Sequence, residues 1–434
     1  MASFHTFLSF YLLGISLVLA SKNKDGASFR PKALIVPVTK DAATSQYLTH
    51  IKQRTPLVDV QLVVDLGGQF LWVDCETRYV SSSYKAAHCR TAVCSLAGSD
   101  GCGTCFSPPS PGCNNNTCGL IPYNEIIRTS TSGEVAQDVV SVHSTDGASP
   151  GPVVSVPSFI FTCAPTFLLE GLAKGSKGIA GLGRGRLGMP SLFASAFSFR
   201  RKFAVCLGTK GFIIFGDGPY RLLPGNMDVS QYLTYTPLIL NPVSTAGTYS
   251  LGDKSTDYFI GVTAIHINKT PVNLNATLLT IDPEGRGGTK LSTVQPYTVM
   301  ETSIYHAVIS AFRKAAAPIK TVSSVSPFGL CYSTKSFSDT YLGPAVPQID
   351  LILQSSGTKW YIYGANSMVR VSDSVMCLGI VDGGVTPTTS IVVGAYQLDE
   401  YLLQFDLAAS RLGFSVSMRS TRTSCSNFNF TSIA

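Results

Sequence analysis

Two segments far apart in the chain share one outline, an apolar strand driven into a tight polar turn. The first reads Val63-Val64-Asp65-Leu66-Gly67-Gly68-Gln69-Phe70-Leu71-Trp72-Val73, the second Thr289-Lys290-Leu291-Ser292-Thr293-Val294-Gln295-Pro296-Tyr297-Thr298-Val299. Each is followed later by an apolar run ending in glycine, Ile179-Ala180-Gly181-Leu182-Gly183 in the first half and Ile391-Val392-Val393-Gly394 in the second. The shared order and spacing imply an old duplication, which restricts the chain to a fold of two similar lobes. The tips of the turns differ. Two carboxylates that share a proton can activate a water, because crowding keeps one protonated while the other acts as base. Here Asp65 has Ser292 as its counterpart, and a hydroxyl cannot take part in such a pair.

With 434 residues the chain exceeds a single core. The 45% hydrophobic and 14% charged composition, with 39 Gly and 24 Pro, excludes a disordered chain and favours many short strands joined by turns. Strand-like runs recur at Val58–Val64, Val135–Val142, Phe159–Phe161, Phe212–Phe215, Tyr258–Ile267, Thr277–Ile281, Lys359–Tyr363 and Ile391–Val393. Amphipathic helix is expected over Ser303–Lys314, with a shorter one from Pro190. The reading is all-β and bilobal with a few short helices. Residues 21–220 and 221–434 form the lobes, divided at Gly216-Asp217-Gly218-Pro219-Tyr220. The net charge of +7 is spread without a dense basic run, so a mildly basic surface is expected and nucleic acid is not a partner.

Residues 1–20 read as a signal peptide: an apolar run from Phe7 to Ala20 that ends in small residues and is too short to span a bilayer. No later segment reads as a transmembrane helix. The twelve cysteines suit an oxidising compartment and six disulfides. Cys75, Cys89, Cys94, Cys102, Cys105, Cys113 and Cys118 cluster, while Cys163, Cys206, Cys331, Cys377 and Cys425 are dispersed. Seven is odd, so full oxidation requires a partner from outside the cluster. Cys102-Gly103-Thr104-Cys105 lacks nearby histidine ligands, so no metal is expected there, and no cofactor is called for elsewhere. Sequons at Asn115, Asn268, Asn275 and Asn429 fit a secreted glycoprotein.

The two turns and their glycine-terminated partners resemble the pepsin-like aspartic proteases. So do Ser132–Asp138, placed like the strand that leaves the active-site flap, and Leu403–Leu407 with Arg411–Phe414, placed like the C-terminal strands. The stretches Phe70-Leu71-Trp72-Val73-Asp74-Cys75, Ser292-Thr293-Val294 and Cys425-Ser426-Asn427-Phe428-Asn429-Phe430-Thr431 are similar to one plant branch. It contains the extracellular dermal glycoproteins, basic 7S globulins and xyloglucanase and xylanase inhibitors. The resemblance implies xylanase-inhibitor N-terminal and C-terminal types for the two lobes, an apoplastic location, and inhibition of microbial cell-wall hydrolases in plant defence. It also implies disulfides Cys331–Cys377 and Cys206–Cys425. Asp65 and Ser292 are then vestigial, and Leu66 cannot brace the opposite turn as a threonine would. Val294 replaces a turn glycine, and alignment puts Ile126 where proteases carry the flap tyrosine. For the dermal-glycoprotein type of inhibitor the resemblance implies target-entering arginines on two C-lobe loops; one site maps to Arg422, the other near Tyr341, where the expected arginine is absent. Two alternatives remain: a storage or peptide- or glycan-binding protein of the basic 7S globulin type, and a weak aspartic endopeptidase. Gly183-Arg184-Gly185-Arg186-Leu187-Gly188 fits a dinucleotide-binding pattern, but its β-rich surroundings make it a turn.

Overall fold

The computed structural model describes residues 30–99, 101–247 and 252–431, so the expected signal peptide at 1–20 lies outside the described residues. The rest is a β-rich body whose construction repeats. In the first half, Val58–Asp65 pairs antiparallel with Tyr47–Gln53 and lies parallel to Gly178–Gly181, with Asp65 opposite Gly181. Trp72–Asp74 returns antiparallel to that same glycine-ended strand. In the second half, Thr289–Leu291 pairs antiparallel with Tyr258–Ile260 and lies parallel to Ile391–Val393, and Thr298–Met300 returns antiparallel to the latter. Both turns are therefore clasped by the apolar strand that follows later in their own half.

A single run of strands joins the halves. In order it is Ala33–Lys40, Lys210–Gly216, Lys202–Cys206, Leu402–Asp406, Arg411–Phe414 and Thr234–Ile239. Its centre is aromatic: Phe203 stacks on Phe405 at 4.8 Å, and the Tyr258 ring lies 4.5 Å from Phe405. Aromatic pairs of this kind contribute roughly 0.5–1.5 kcal/mol beyond their burial.

The helix Thr302–Ala315 matches its periodicity, burying Ile304, Tyr305, Val308, Ile309 and Phe312. Its start is fixed by Glu301, whose carboxylate accepts from the backbone N–H groups of Ser303 and Ile304 at 2.9 and 3.2 Å. A shorter helix, Met189–Phe197, has Pro190 in its first turn. The run expected as a strand over Thr277–Ile281 is instead the 3-10 turn Ala276–Leu279. The Asn275 side chain accepts from Thr277 N at 3.1 Å, a local bond that outcompetes pairing.

All twelve cysteines are bonded: Cys75–Cys163, Cys89–Cys102, Cys94–Cys118, Cys105–Cys113, Cys206–Cys425 and Cys331–Cys377. Cys75 is the member of the cluster that pairs outside it. Cys206–Cys425 spans 219 residues and ties the C-terminal loop to the joining sheet. We expect Cys206→Ser with Cys425→Ser to lower stability by about 3 kcal/mol in denaturant titration, chiefly through a freer unfolded chain.

Candidate functional site

The strand Val58–Asp65 delivers Asp65 into the turn, where Oδ1 accepts from Gly67 N at 3.0 Å. The strand Thr289–Leu291 delivers Ser292, whose hydroxyl accepts from Gln295 N at 3.1 Å. Among the described residues no hydrogen bond joins Asp65 to Ser292. The link between the turns comes from Thr293. Its Oγ1 donates to Val64 O at 2.7 Å and accepts from Leu66 N at 2.9 Å, all buried. Leu66 has no hydroxyl to return that bond and packs in the core instead. Val294 joins the apolar cluster that holds Phe70 and Trp72 of the first half, so the lost glycine is offset by contact across the turns.

The space above Asp65 carries charge that the sequence reading did not single out. Lys290 Nζ lies 3.1 Å from Asp257 Oδ2 and 3.8 Å from Glu125 Oε1, and its side chain is only 9% exposed. Asp257 Oδ2 also accepts from Thr245 Oγ1. Burial is the main force pushing the Asp65 carboxyl up to about 7; Glu125 and Asp257 push it the same way, while Gly67 N–H and Lys290 oppose them. Lys290 is held above its usual range because Asp257 and Glu125 outweigh the cost of burying it.

The chain itself fills most of this space. Thr256 Oγ1 donates to Gly67 O at 2.8 Å, and Arg184 N donates to Thr256 O at 3.0 Å. A Cβ on Gly67 would sit 2.0 Å from Asp257 Oδ1, so only glycine admits this strap. The glycine-rich turn starting at Gly183 thus secures chain to chain, with Gly183 N donating to Gly68 O at 2.8 Å. What remains is a cavity of about 80 Å3, lined by Asp65, Phe70, Trp72, Tyr123, Glu125 and Lys290 among others. Tyr123, not Ile126, faces this cavity from the flap side; Ile126 packs against Gly171.

Lys290 had a signal in the sequence. It sits in the middle of the strand Thr289–Leu291 that leads into the Ser292 turn, where a charged side chain among apolar neighbours is itself unusual. Asp257 and Glu125 had none, since they meet Lys290 only through folding.

The other predicted site residues lie on the surface. Arg422 and Tyr341 come together, the guanidinium carbon 5.1 Å from the centre of the Tyr341 ring. Tyr341 is 73% exposed at the tip of a tight hairpin in which Asp339–Thr340 pairs with Gly343–Pro344. Thr340 Oγ1 donates to Gly343 O at 2.6 Å, and Ala365 N donates to Leu342 O at 2.7 Å. Arg422, exposed, sits in a left-handed turn (φ 55°) between Thr421 and the disulfide at Cys425. Buried Glu400 holds that loop: its carboxylate accepts from Cys425 N and Ser424 Oγ, both at 2.9 Å. Of the sequon residues, Asn115, Asn268 and Asn275 are exposed and Asn429 is half-buried.

Two strand-and-turn units, each clasped by the glycine-ended strand of its own half, define a pepsin-like scaffold. The xylanase inhibitor N-terminal family matches residues 47–217 and the xylanase inhibitor C-terminal family matches residues 257–416. The chain is 58% identical over 428 residues to a probable aspartic proteinase GIP2 of Nicotiana benthamiana, covering 98% of each. It is 38% identical over 409 residues to a basic 7S globulin of Glycine max, covering 92% of each. Among solved structures, that of edgp is similar with a TM-score of 0.91 at 60% identity, over 93% of this chain and 99% of that one. The basic 7S globulin of soybean is similar with a TM-score of 0.79 at 37% identity, over 92% of this chain and all of that one. The chain belongs to the xylanase-inhibitor and basic 7S globulin branch of the pepsin-like aspartic protease family.

Proposed function

We propose that this protein is a secreted, catalytically inactive relative of the aspartic proteases that binds and inhibits microbial cell-wall glycoside hydrolases in plant defence. The observation that carries this reading is the meeting of Arg422 and Tyr341 at one exposed point, each on a loop pinned from behind. Retaining glycosidases place two carboxylates close together in an open cleft. A guanidinium can pair with them bidentately, and exclusion of water strengthens the contact. The Tyr341 ring under Arg422 limits the rotamers the arginine must give up on binding and offers a stacking face to aromatics that line sugar subsites. Lack of catalysis follows from Ser292, which supplies no carboxyl to share a proton with Asp65, and from the strap that covers the turn.

The test is a panel of microbial xyloglucanases, endoglucanases and xylanases assayed with purified protein. Arg422→Ala should weaken inhibition of the target at least about tenfold, about 1.4 kcal/mol. Tyr341→Phe should leave it nearly unchanged and Tyr341→Ala should weaken it severalfold. Protein that neither binds nor slows any member of the panel would overturn the reading. A second reading, a storage or peptide- or glycan-binding protein, draws on the basic 7S globulin relatives and the net charge of +7. Pull-down from apoplastic fluid separates the two: a glycosidase favours the first, a peptide or glycan the second. Aspartic endopeptidase activity, which the name of the Nicotiana relative suggests for that protein, would appear here as acid proteolysis abolished by Asp65→Ala.

A further inference from the structure

Two polar side chains that line the same cavity can each take a further hydrogen bond. Trp72 is 2% exposed, and its indole Nε1 has no partner. Asp65 is 7% exposed; Oδ1 takes the Gly67 N–H, and among the described residues Oδ2 receives no donor. The Trp72 N–H has left water without gaining an acceptor, which is unfavourable, and Asp65 Oδ2 is free to accept a donor brought by a ligand. The charge around them is also unbalanced. Asp65, Glu125 and Asp257 bring three carboxyl groups, and Lys290 brings one ammonium, already engaged with Asp257 and Glu125. Facing these polar groups are the apolar side chains of Phe70, Ile121 and Ile179.

We propose that this cavity is a binding site for a small protonated amine that also carries an oxygen acceptor, the amino-alcohol class. The ammonium donates to Asp65 Oδ2 and supplies the missing positive charge. The oxygen accepts from Trp72 Nε1–H, and the short carbon chain lies on the apolar wall. The cavity, of about 80 Å3, takes a molecule of a few heavy atoms and no peptide, because Thr256 and Asp257 are already strapped over the turn. An anion would meet three carboxyl groups. A neutral diol satisfies the two hydrogen bonds but leaves the charge unbalanced.

The probe is 2-aminoethanol, with ethylene glycol and acetate as controls, titrated calorimetrically into the full-length protein. At pH 8 the amine should bind saturably at one site, at least about tenfold more tightly than the diol, with no binding of acetate. Asp65→Asn should abolish binding, and Trp72→Phe should weaken it severalfold by removing the donor while keeping the apolar face. Lowering the pH to 5 protonates Asp65, whose carboxyl titrates near 7 beside Glu125, Asp257, Lys290 and Tyr123, and should weaken binding by up to about a hundredfold. Thermal melts of both variants establish that they are folded. Absence of saturable heat at pH 8, equal binding of the diol, or undiminished binding by Asp65→Asn would overturn the proposal. The readout does not involve any hydrolase, so this site and the surface site at Arg422 fail or stand separately.

Discussion

Replacing Lys290 by methionine is expected to destabilise the protein by about 4 kcal/mol at neutral pH, read from the midpoint shift in denaturant titration. The methionine fills a similar volume, so packing is largely kept and the effect isolates charge. Lys290 sits among three carboxyl groups, 3.1 Å from Asp257 and 3.8 Å from Glu125, and among the described residues no other cation is ion-paired with either. Removing one member of a buried ion pair leaves the other uncompensated, which costs roughly 3–5 kcal/mol. Glu125 reaches the cluster from the flap and its side chain is 35% exposed, so water relieves part of its share. Asp257 is only 12% exposed and carries most of the loss. Lys290 also holds the Asp65 carboxyl down, so its removal should move the Asp65 titration further upward. A double substitution, Lys290→Met with Asp257→Asn, should recover much of the stability. If the single variant unfolded at the same denaturant concentration as the parent, the cluster would contribute nothing to the fold.

Asp65→Asn is expected to act in the opposite direction. The Asp65 carboxyl is raised from its ordinary 3.8 to about 7, so folding favours its protonated form. Stability from this group is fully present below pH 4 and is lost as pH rises through 7. At pH 8 the folded protein carries a buried carboxylate that the unfolded chain would hydrate. Asparagine keeps the shape and an acceptor for the Gly67 N–H without the charge. The variant should therefore be more stable than the parent by about 4 kcal/mol at pH 8, as an upper bound from 1.36 kcal/mol per unit of pKa, and equal to it near pH 4. Melting curves collected across that range give the measurement. A difference independent of pH would show that Asp65 does not titrate in this window.

Much of this architecture could be read from local sequence because it depends on local patterns. The strand-and-turn outline around Asp65 and Ser292, the periodicity of Ser303–Lys314 and the glycine-ended runs each encode their own geometry. The return strand Thr298–Met300 and the sheet that joins the halves had no such local mark, because their partners lie far along the chain. Thr277–Ile281 misled because a β-branched apolar run follows Asn275, and only the side-chain bond to Thr277 N decides for a turn. The site was legible only in part. The absence of a second carboxylate is a fact of sequence, whereas the meeting of Lys290 with Glu125 and Asp257 is a product of folding. Tyr341 beneath Arg422 is of the same kind: two residues that spacing could not have joined, in contact across loops.

The bond between the two central turns runs one way. Thr293 provides both contacts through a single hydroxyl, and the first turn answers with main-chain atoms alone. Every residue but proline has those atoms, so the first turn can take any other side chain at position 66 without cutting the link, at a cost in packing only. Position 293 has no such freedom, because a replacement must bring a hydroxyl of the same reach. The duplicated halves have therefore become unequal in what each could accept from an engineer: one is a socket open to new side chains, the other a pin whose chemistry is fixed.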